Sequence, residues 1–392
     1  GSEMCIRDRF CMGLFDRFKK KNSEKDVVKK KQSAEKTNKI KSGTKRKTLV
    51  KDFDEIFERG NEEEIKAIFE KCDINAYGGY DKTNALSFKL SENIMKWLVE
   101  QGADIDYKDT YHNTPLHHQV INPNGNPEFL IRLGANIEAV NSRNETPLFY
   151  ATQYFRLNHL KTLVEAGANI NAKNDMNQTP LLKAMAVAKN ANIPDLVIMI
   201  KYLIDKGAKL SGEEQKQVER IGTDFEWFRD RINKDYIDEI ESSLKELYKI
   251  FNVMPIPKRV VYDGKSKIKV KAKKWEDQHE ELWQLLVPSC GHASTLQGEV
   301  IRISGKLSQE ILDNGKMNWD KEYLQMVQAL LGYLSQGNQL TESENNEFIN
   351  IINKIKQNHA WNDELSRLSE LCVKWVLLNT EPIQLGKAEY KR

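Results

Sequence analysis

Asp109-Thr110-Tyr111-His112-Asn113-Thr114-Pro115-Leu116 opens a pattern that the chain repeats. Thr114-Pro115-Leu116 is followed by Thr146-Pro147-Leu148 and Thr179-Pro180-Leu181, 32 and then 33 residues on. A second mark keeps nearly the same period: Gly102-Ala103, Gly134-Ala135 and Gly167-Ala168, then Gly207-Ala208 after a longer gap, each close an apolar run. Two independent marks that share one period point to a structural unit repeated along the chain.

The physical chemistry of the marks gives the unit its shape. Thr satisfies free N–H groups at a helix start, and Pro at the first helical position has its φ preset and lacks only an N–H that would be orphaned there. Thr-Pro therefore begins a helix. A Gly after an apolar-periodic run supplies the left-handed residue that ends one. Between each Gly-Ala and the next Thr-Pro lie Asn- and Asp-rich turn segments such as Asn169-Ile170-Asn171-Ala172-Lys173-Asn174. The unit reads as helix, turn, helix, extended finger. It resembles the ankyrin repeat, whose signature begins Thr-Pro-Leu-His. Thr114-Pro115-Leu116-His117 matches those four positions, and the other copies carry Phe149 and Leu182 where His stands.

At 392 residues the chain has room for roughly two to three domains. No apolar run approaches the ~20 residues needed to span a bilayer. Cys5, Cys11, Cys72, Cys290 and Cys372 are scattered, odd in number and without metal-ligand spacing, which favours a reducing, cytoplasmic setting with no metal and no cofactor. Gly1-Ser2 reads as a protease-cleavage remnant and Met4 to Arg9 as adapter-derived sequence, so residues 1–11 are expected to be an artefact and Met12 the native start. Met12-Gly13 does not make a myristoylation signal, because Arg17 stands where Ser or Thr is required. Residues 17–47 hold fourteen Lys or Arg and three Asp or Glu, about +11 in a chain whose total is +3. With so few large apolar residues, 12–48 is expected to be a disordered basic tail. Nucleic-acid phosphates or an anionic membrane surface are the contacts its lysines would make, beside the plain reading of a solubilising tail.

Order is expected from Leu49. Val50, Phe53, Ile56 and Phe57, then Ile65, Ile68 and Phe69, read as a capping helix pair around Gly60. Asn84-Ala85-Leu86-Ser87 is a degenerate copy of Thr-Pro-Leu-His. Leu116, Leu130, Leu148, Leu163, Val164, Leu181, Leu203 and Ile204 are core positions of an array over 49–211. Residues Asn190 to Asp195, with Pro194, insert into the fourth unit as a loop expected to bulge outward. If the ankyrin register carries over, the resemblance implies a concave partner-binding face made of Tyr80, Asp81 and Phe88; Tyr111, Asn113 and His118; Arg143, Glu145 and Tyr150; Asp175, Met176 and Lys183. His112, His117 and His118 cluster without a fourth ligand and read as turn and cap residues.

Beyond Gly207-Ala208 the period is lost. Residues 212–258 read as two capping helices and a linker at Met254-Pro255-Ile256-Pro257, and 259–392 as a helical C-terminal domain. A small β-hairpin is expected there, Arg259 to Tyr262 against Lys267 to Val270 around Asp263-Gly264. The fold class is therefore mostly α, a helical solenoid followed by a helical domain. The polar stretch Pro288-Ser289-Cys290-Gly291-His292 with Gln297, Glu299 and Arg302 stands out where a bundle wants packing. Together with Asn318 and Trp319 it resembles a stretch of helical bacterial proteins and defines a second candidate patch: His292, Gln297, Glu299, Arg302, Asn318 and Trp319. Cys290 and His292 are the residue types of a nucleophile and its base, but no third orienting group stands at a recognisable spacing. His279-Glu280-Glu281-Leu282-Trp283 fails the zinc-protease pattern at Trp283. Two readings follow: a non-enzymatic adaptor that recruits a protein through the array, and an enzyme with a site near Cys290 to Arg302. Within 259–392 the plain structural alternative is a Glu299–Arg302 pair with Gln297 and Asn318 capping neighbouring helices.

Overall fold

The computed structural model describes residues 45–392. The expected artefact at 1–11 and the basic tail as far as residue 44 lie outside the described residues. Among the described residues the chain forms 16 α-helices and one three-stranded sheet. They fall into two compact units, one ending at Phe225 and including Ile232–Ile256, the other made of Glu226–Arg231 and Pro257–Arg392.

The first unit begins earlier than the sequence predicts. Strand β1 (Arg46–Thr48) pairs in parallel with β2 (Cys72–Gly78), and β2 pairs antiparallel with β3 (Thr83–Asn84). The end of the expected disordered tail is thus ordered: Lys45 Nζ donates to the Phe69 carbonyl at 2.7 Å, and Leu49 N to the Tyr77 carbonyl at 2.9 Å. Residue composition alone does not reveal a strand whose bonds come from a partner some thirty residues away. Helices α1 (Phe53–Arg59) and α2 (Glu62–Lys71) follow, separated by Gly60 at φ +69°.

The array itself alternates α3 (Glu92–Glu100), α4 (Pro115–Ile121), α5 (Pro127–Arg132), α6 (Pro147–Gln153), α7 (Leu157–Glu165), α8 (Pro180–Val187) and α9 (Ile193–Asp205). Thr114, Thr146 and Thr179 each take the extended N-cap position ahead of a Pro. Gly102, Gly134, Gly167 and Gly207 all lie at φ between +90° and +101°. The Ala after each donates its N–H to the carbonyl five residues back, for example Ala135 to Leu130 at 3.0 Å and Ala168 to Leu163 at 2.9 Å. That bond marks a helix closed by a left-handed glycine. In the degenerate first copy, Ala85–Ser87 makes only a single 3₁₀ turn. The insertion at 190–195 does not stand out as a loop: Asn190–Asn192 forms a 3₁₀ turn and Ile193 already starts α9, which at 13 residues is longer than its counterpart α7 at 9. Pro194 fits because the first helical turn needs no N–H from it. Helix α10 (Glu214–Phe228) reaches α8 through Arg220 Nη2, which donates to the Met185 carbonyl at 2.7 Å, and α11 (Lys234–Phe251) packs on α9.

The second unit is built around α13 (Leu296–Ser308), which packs against α12 (Trp275–Leu286), α14 (Lys321–Leu334) and α16 (Asn362–Leu378). Helix α15 (Glu342–Lys356) lies against α14 and α16 and starts with the expected Thr341–Glu344 capping box. The predicted hairpin at 259–270 does not form. Asp263 instead folds its carboxylate onto the N–H groups of Lys265 and Ser266, both at 2.8 Å, and Ile268 gives its N–H to the Thr380 carbonyl at 2.9 Å. The turn signal is real, but the following segment docks on the residues after α16 and not on 259–262. Among the described residues the hairpin is β2–β3, in the first finger.

Candidate functional site

The fingers of the array are built on one recurring device. Asp109 Oδ1 accepts from the N–H groups of Tyr111 and Asn113, both at 2.8 Å. Asn141 Oδ1 does the same for Arg143 at 2.9 Å and Glu145 at 3.0 Å, and Asn174 Oδ1 for Met176 at 3.1 Å and Gln178 at 2.9 Å. Each of these residues stands five ahead of its Thr-Pro. That spacing is a signal for the finger turn that the sequence itself carries. The turn it encloses needs a left-handed residue, and Lys82, His112, Asn144 and Asn177 hold φ between +58° and +62°. Backbone bonds then join finger to finger: Thr110 N to the Asp81 carbonyl at 2.8 Å, Ser142 N to Tyr111 at 2.9 Å, Asp175 N to Arg143 at 3.1 Å.

This framework sorts the predicted partner-binding residues into two groups. Tyr80, Tyr111 and Met176 are 77%, 39% and 74% exposed, and the Arg143 side chain is 66% exposed. Tyr111, Arg143 and Met176 each directly precede the left-handed residue of their finger, a place that Asp81 holds in the first finger, with Tyr80 one residue before it. Asp175 is exposed beside them, and Asp81 is half-buried, its carboxyl pushed up first by burial and then by the nearby Asp109 charge. The remaining members are structural. Phe88 is half-buried, its ring packed on Phe53 and Phe57 at centroid distances of 5.3 and 5.4 Å. Asn113, Glu145 and Tyr150 are buried. The Tyr150 hydroxyl donates to Asn113 Oδ1 at 2.7 Å and accepts from Asn141 Nδ2 at 3.0 Å, so it ties adjacent fingers together. Glu145 meets Lys183 Nζ at 3.2 Å, and that lysine is largely covered. The implied register placed these side chains on the open face; burying a Tyr or Glu is tolerable here because neighbouring repeats supply the polar partners.

His117 and His118 also serve the stack. His117 Nδ1 accepts from Thr114 N at 3.1 Å and Nε2 lies 3.0 Å from the Glu145 carbonyl, so the ring carries its proton on Nε2 and bridges two repeats. Burial pushes it down to about 4. Half-buried His118 bonds Asp109 Oδ2 at 2.8 Å. Burial raises the Asp109 carboxyl, but its bond to and charge from His118, with the N–H groups of Asn113 and Tyr111, more than offset this and leave it below the usual range.

In the second unit the structure brings His292, Glu299 and Arg302 together and leaves the other three residues elsewhere. Glu299 is fully buried. It accepts from Arg302 Nε at 2.8 Å, from the Ala293 N–H at 2.9 Å and from the Tyr390 hydroxyl, and faces His292 Nδ1 at 3.0 Å. Burial alone raises its carboxyl. Arg302, Tyr390 and His292 reverse that and hold it at about 2. Gln297 clamps the chain after α16: its Nε2 donates to the Asn379 and Glu381 carbonyls at 2.7 and 2.8 Å, and its Oε1 accepts from Ile383 N at 3.1 Å. Asn318 belongs to a second buried carboxylate that sequence reasoning missed, Glu310, which accepts Asn318 N at 2.6 Å and Asn314 Nδ2 at 2.8 Å. Trp319 stacks on Tyr323 at 5.2 Å. Cys290 is an exposed free thiol. Among the described residues no group of three or more His, Cys, Asp or Glu is placed to hold a metal ion, and no helix is long and apolar enough to cross a membrane.

The ankyrin-repeat family matches residues 83–174, in three copies. The finger device, the Thr-Pro starts and the glycine closures are therefore those of an ankyrin array, and residues 83–174 form ankyrin repeats. Ankyrin arrays are protein-interaction modules. Among curated proteins none matches this chain.

Proposed function

We propose that this protein is a cytoplasmic, non-enzymatic adaptor that recruits a protein partner on the finger tips carrying Tyr80, Tyr111, Arg143, Asp175 and Met176. One observation carries this reading. Three consecutive fingers present a Tyr, an Arg and a Met at the same exposed position, and the finger before them adds the exposed Tyr80 one residue off that position. These are residue types enriched at interfaces, and Tyr and Arg are also those that dominate binding energy. Backbone bonds from finger to finger hold the tips in place before any partner arrives, which lowers the ordering cost of binding. The free thiols Cys72, Cys290 and Cys372 suit a reducing compartment.

The test is a partner isolated on the full chain and then titrated against variants. Tyr111→Ala with Met176→Ala is expected to weaken its affinity at least tenfold and leave the melting temperature unchanged, since neither side chain is buried. Tyr150→Phe is expected to do the reverse, with about 1–2 kcal/mol of lost stability from the Asn113 and Asn141 bonds. Undiminished affinity of the double variant would remove the finger tips from the interface.

A further inference from the structure

The segment after the Asp263 turn carries a feature the ankyrin array does not account for. Lys265, Lys267, Lys269, Lys271 and Lys273 recur at every second residue, all exposed, while Ile268 between them is buried and Val270 and Ala272 are half-buried. From Lys267 to Lys273 burial alternates with period two, which places four lysines on one side of an extended chain, while Lys265 stands in the turn before it. From Lys258 to Lys274 there are eight Lys or Arg and one acidic residue. The track is fixed to the second unit at several points. Ile268 N bonds the Thr380 carbonyl at 2.9 Å, Gln384 Nε2 bonds the Gly264 carbonyl at 2.8 Å, and Glu281 receives the N–H groups of both Lys271 and Ala272 at 2.9 Å. The row is thus held as a line of charge without any partner present.

We infer that this lysine row binds the phosphate backbone of a single-stranded nucleic acid. At about 3.3 Å per residue, alternate lysines stand about 6.6 Å apart. A stacked strand carries a phosphate about every 3.4 Å, so each lysine step covers two of its charges, or fewer when the strand is stretched. The row holds only lysine. Point charges of this kind neutralise phosphates without the bidentate geometry that reads bases, so binding is independent of sequence. Half-buried Tyr262 and Trp275 flank the row in sequence. The surroundings select a narrow ligand. Exposed Glu276, Asp277 and Glu280 open α12 directly after the row, and the exposed Glu381 pairs with Lys267 at 3.1 Å. A lipid headgroup plane or a duplex would press its own negative charge against all of these carboxylates; a single strand along the row meets only Glu381, which Lys267 already neutralises.

The experiment titrates a labelled 20-nucleotide oligo-dT with the full chain across 50–300 mM salt. It compares the natural sequence with Lys265→Gln/Lys269→Gln/Lys271→Gln/Lys273→Gln and with the same four positions changed to Arg. The basic segment at 17–47 is present in every protein, so differences report on the row. The Gln variant is expected to lose at least tenfold in affinity at 100 mM salt, with a dependence of log K on log salt shallower by about 3. The Arg variant is expected to bind like the natural sequence, and duplex of equal length to bind less well than the single strand. Equal affinity and equal slope for the Gln variant would overturn the inference. So would a Gln variant that keeps oligonucleotide binding and loses only binding to phosphatidylserine vesicles.

Discussion

At the scale of single residues, two buried titratable groups are both held deprotonated, one as a neutral ring and one as a charged carboxylate. His117 sits neutral between Thr114 and the Glu145 carbonyl, held down to about 4 by burial, while an unfolded histidine titrates near its ordinary 6.5. The unfolded chain therefore takes up this proton first as pH falls. Stability from the group is complete above 6.5 and drains away between 6.5 and 4, by up to about 3 kcal/mol. His117→Leu, the residue found at the equivalent place Leu182, is expected to lower stability at pH 7.5 and to flatten its fall across that window, measured by urea unfolding at several pH values. An unchanged slope would place the proton uptake elsewhere. Glu299 follows the same sign at lower pH. Its folded carboxyl lies at about 2 against an ordinary 4.5, so its contribution is complete above 4.5 and lost as pH falls toward 2. Glu299→Gln leaves Arg302 buried beside a neutral amide and is expected to cost about 3–5 kcal/mol. A variant that kept its stability would mean that Glu299 is held for chemistry and not for the fold.

Element by element, how much the sequence disclosed depended on the range of the cause. Thr114-Pro115, Gly134 and the Thr341–Glu344 box act within one turn of their own helix, and these starts and stops were legible. β1 depends on β2 and the segment at Ile268 on Thr380, so both were misread from local pattern. The candidate surface was half legible for a related reason. The register located Tyr111 and Met176, but only the neighbouring repeat shows that Tyr150 and Glu145 turn inward to bonded partners. Two glycines of the second unit show the same long-range dependence. A Cβ on Gly332, within α14, would meet nothing within 4 Å, so Gly332→Ala is expected to stabilise by about 1 kcal/mol through helix propensity. A Cβ on Gly305, within α13, would fall 2.4 Å from Trp283 Cζ3. That indole is itself stacked on Trp227, and overpacking of about 1–3 kcal/mol outweighs the same helical gain. Gly305→Ala is therefore expected to destabilise where Gly332→Ala does not, and equal melting temperatures for the two would show that Trp283 moves freely.

On the scale of the whole molecule, the described residues form two apolar cores, one through the array and its flanking helices, the other around α13. They are not divided by a simple cut in the sequence. Helix α10 gives Val218, Ile221 and Phe225 to the first core, yet Trp227, near its end, belongs to the second. There its ring stacks on Trp283 at 6.1 Å, and the Arg259 guanidinium lies 3.8 Å over its face. A boundary drawn at 258 or 259, as the proline-rich linker suggests, would strand Trp227 outside the core it fills. Separate cores predict two unfolding transitions in calorimetry. Trp227→Ala removes a large buried ring at a cost of about 3–5 kcal/mol. It is expected to lower the transition of the second unit by roughly 10 °C while the array transition stays in place. His117→Leu should move the other transition alone. If both variants shift a single common transition, the two cores unfold as one cooperative body, and binding at the finger tips would then be coupled to the stability of the helical unit.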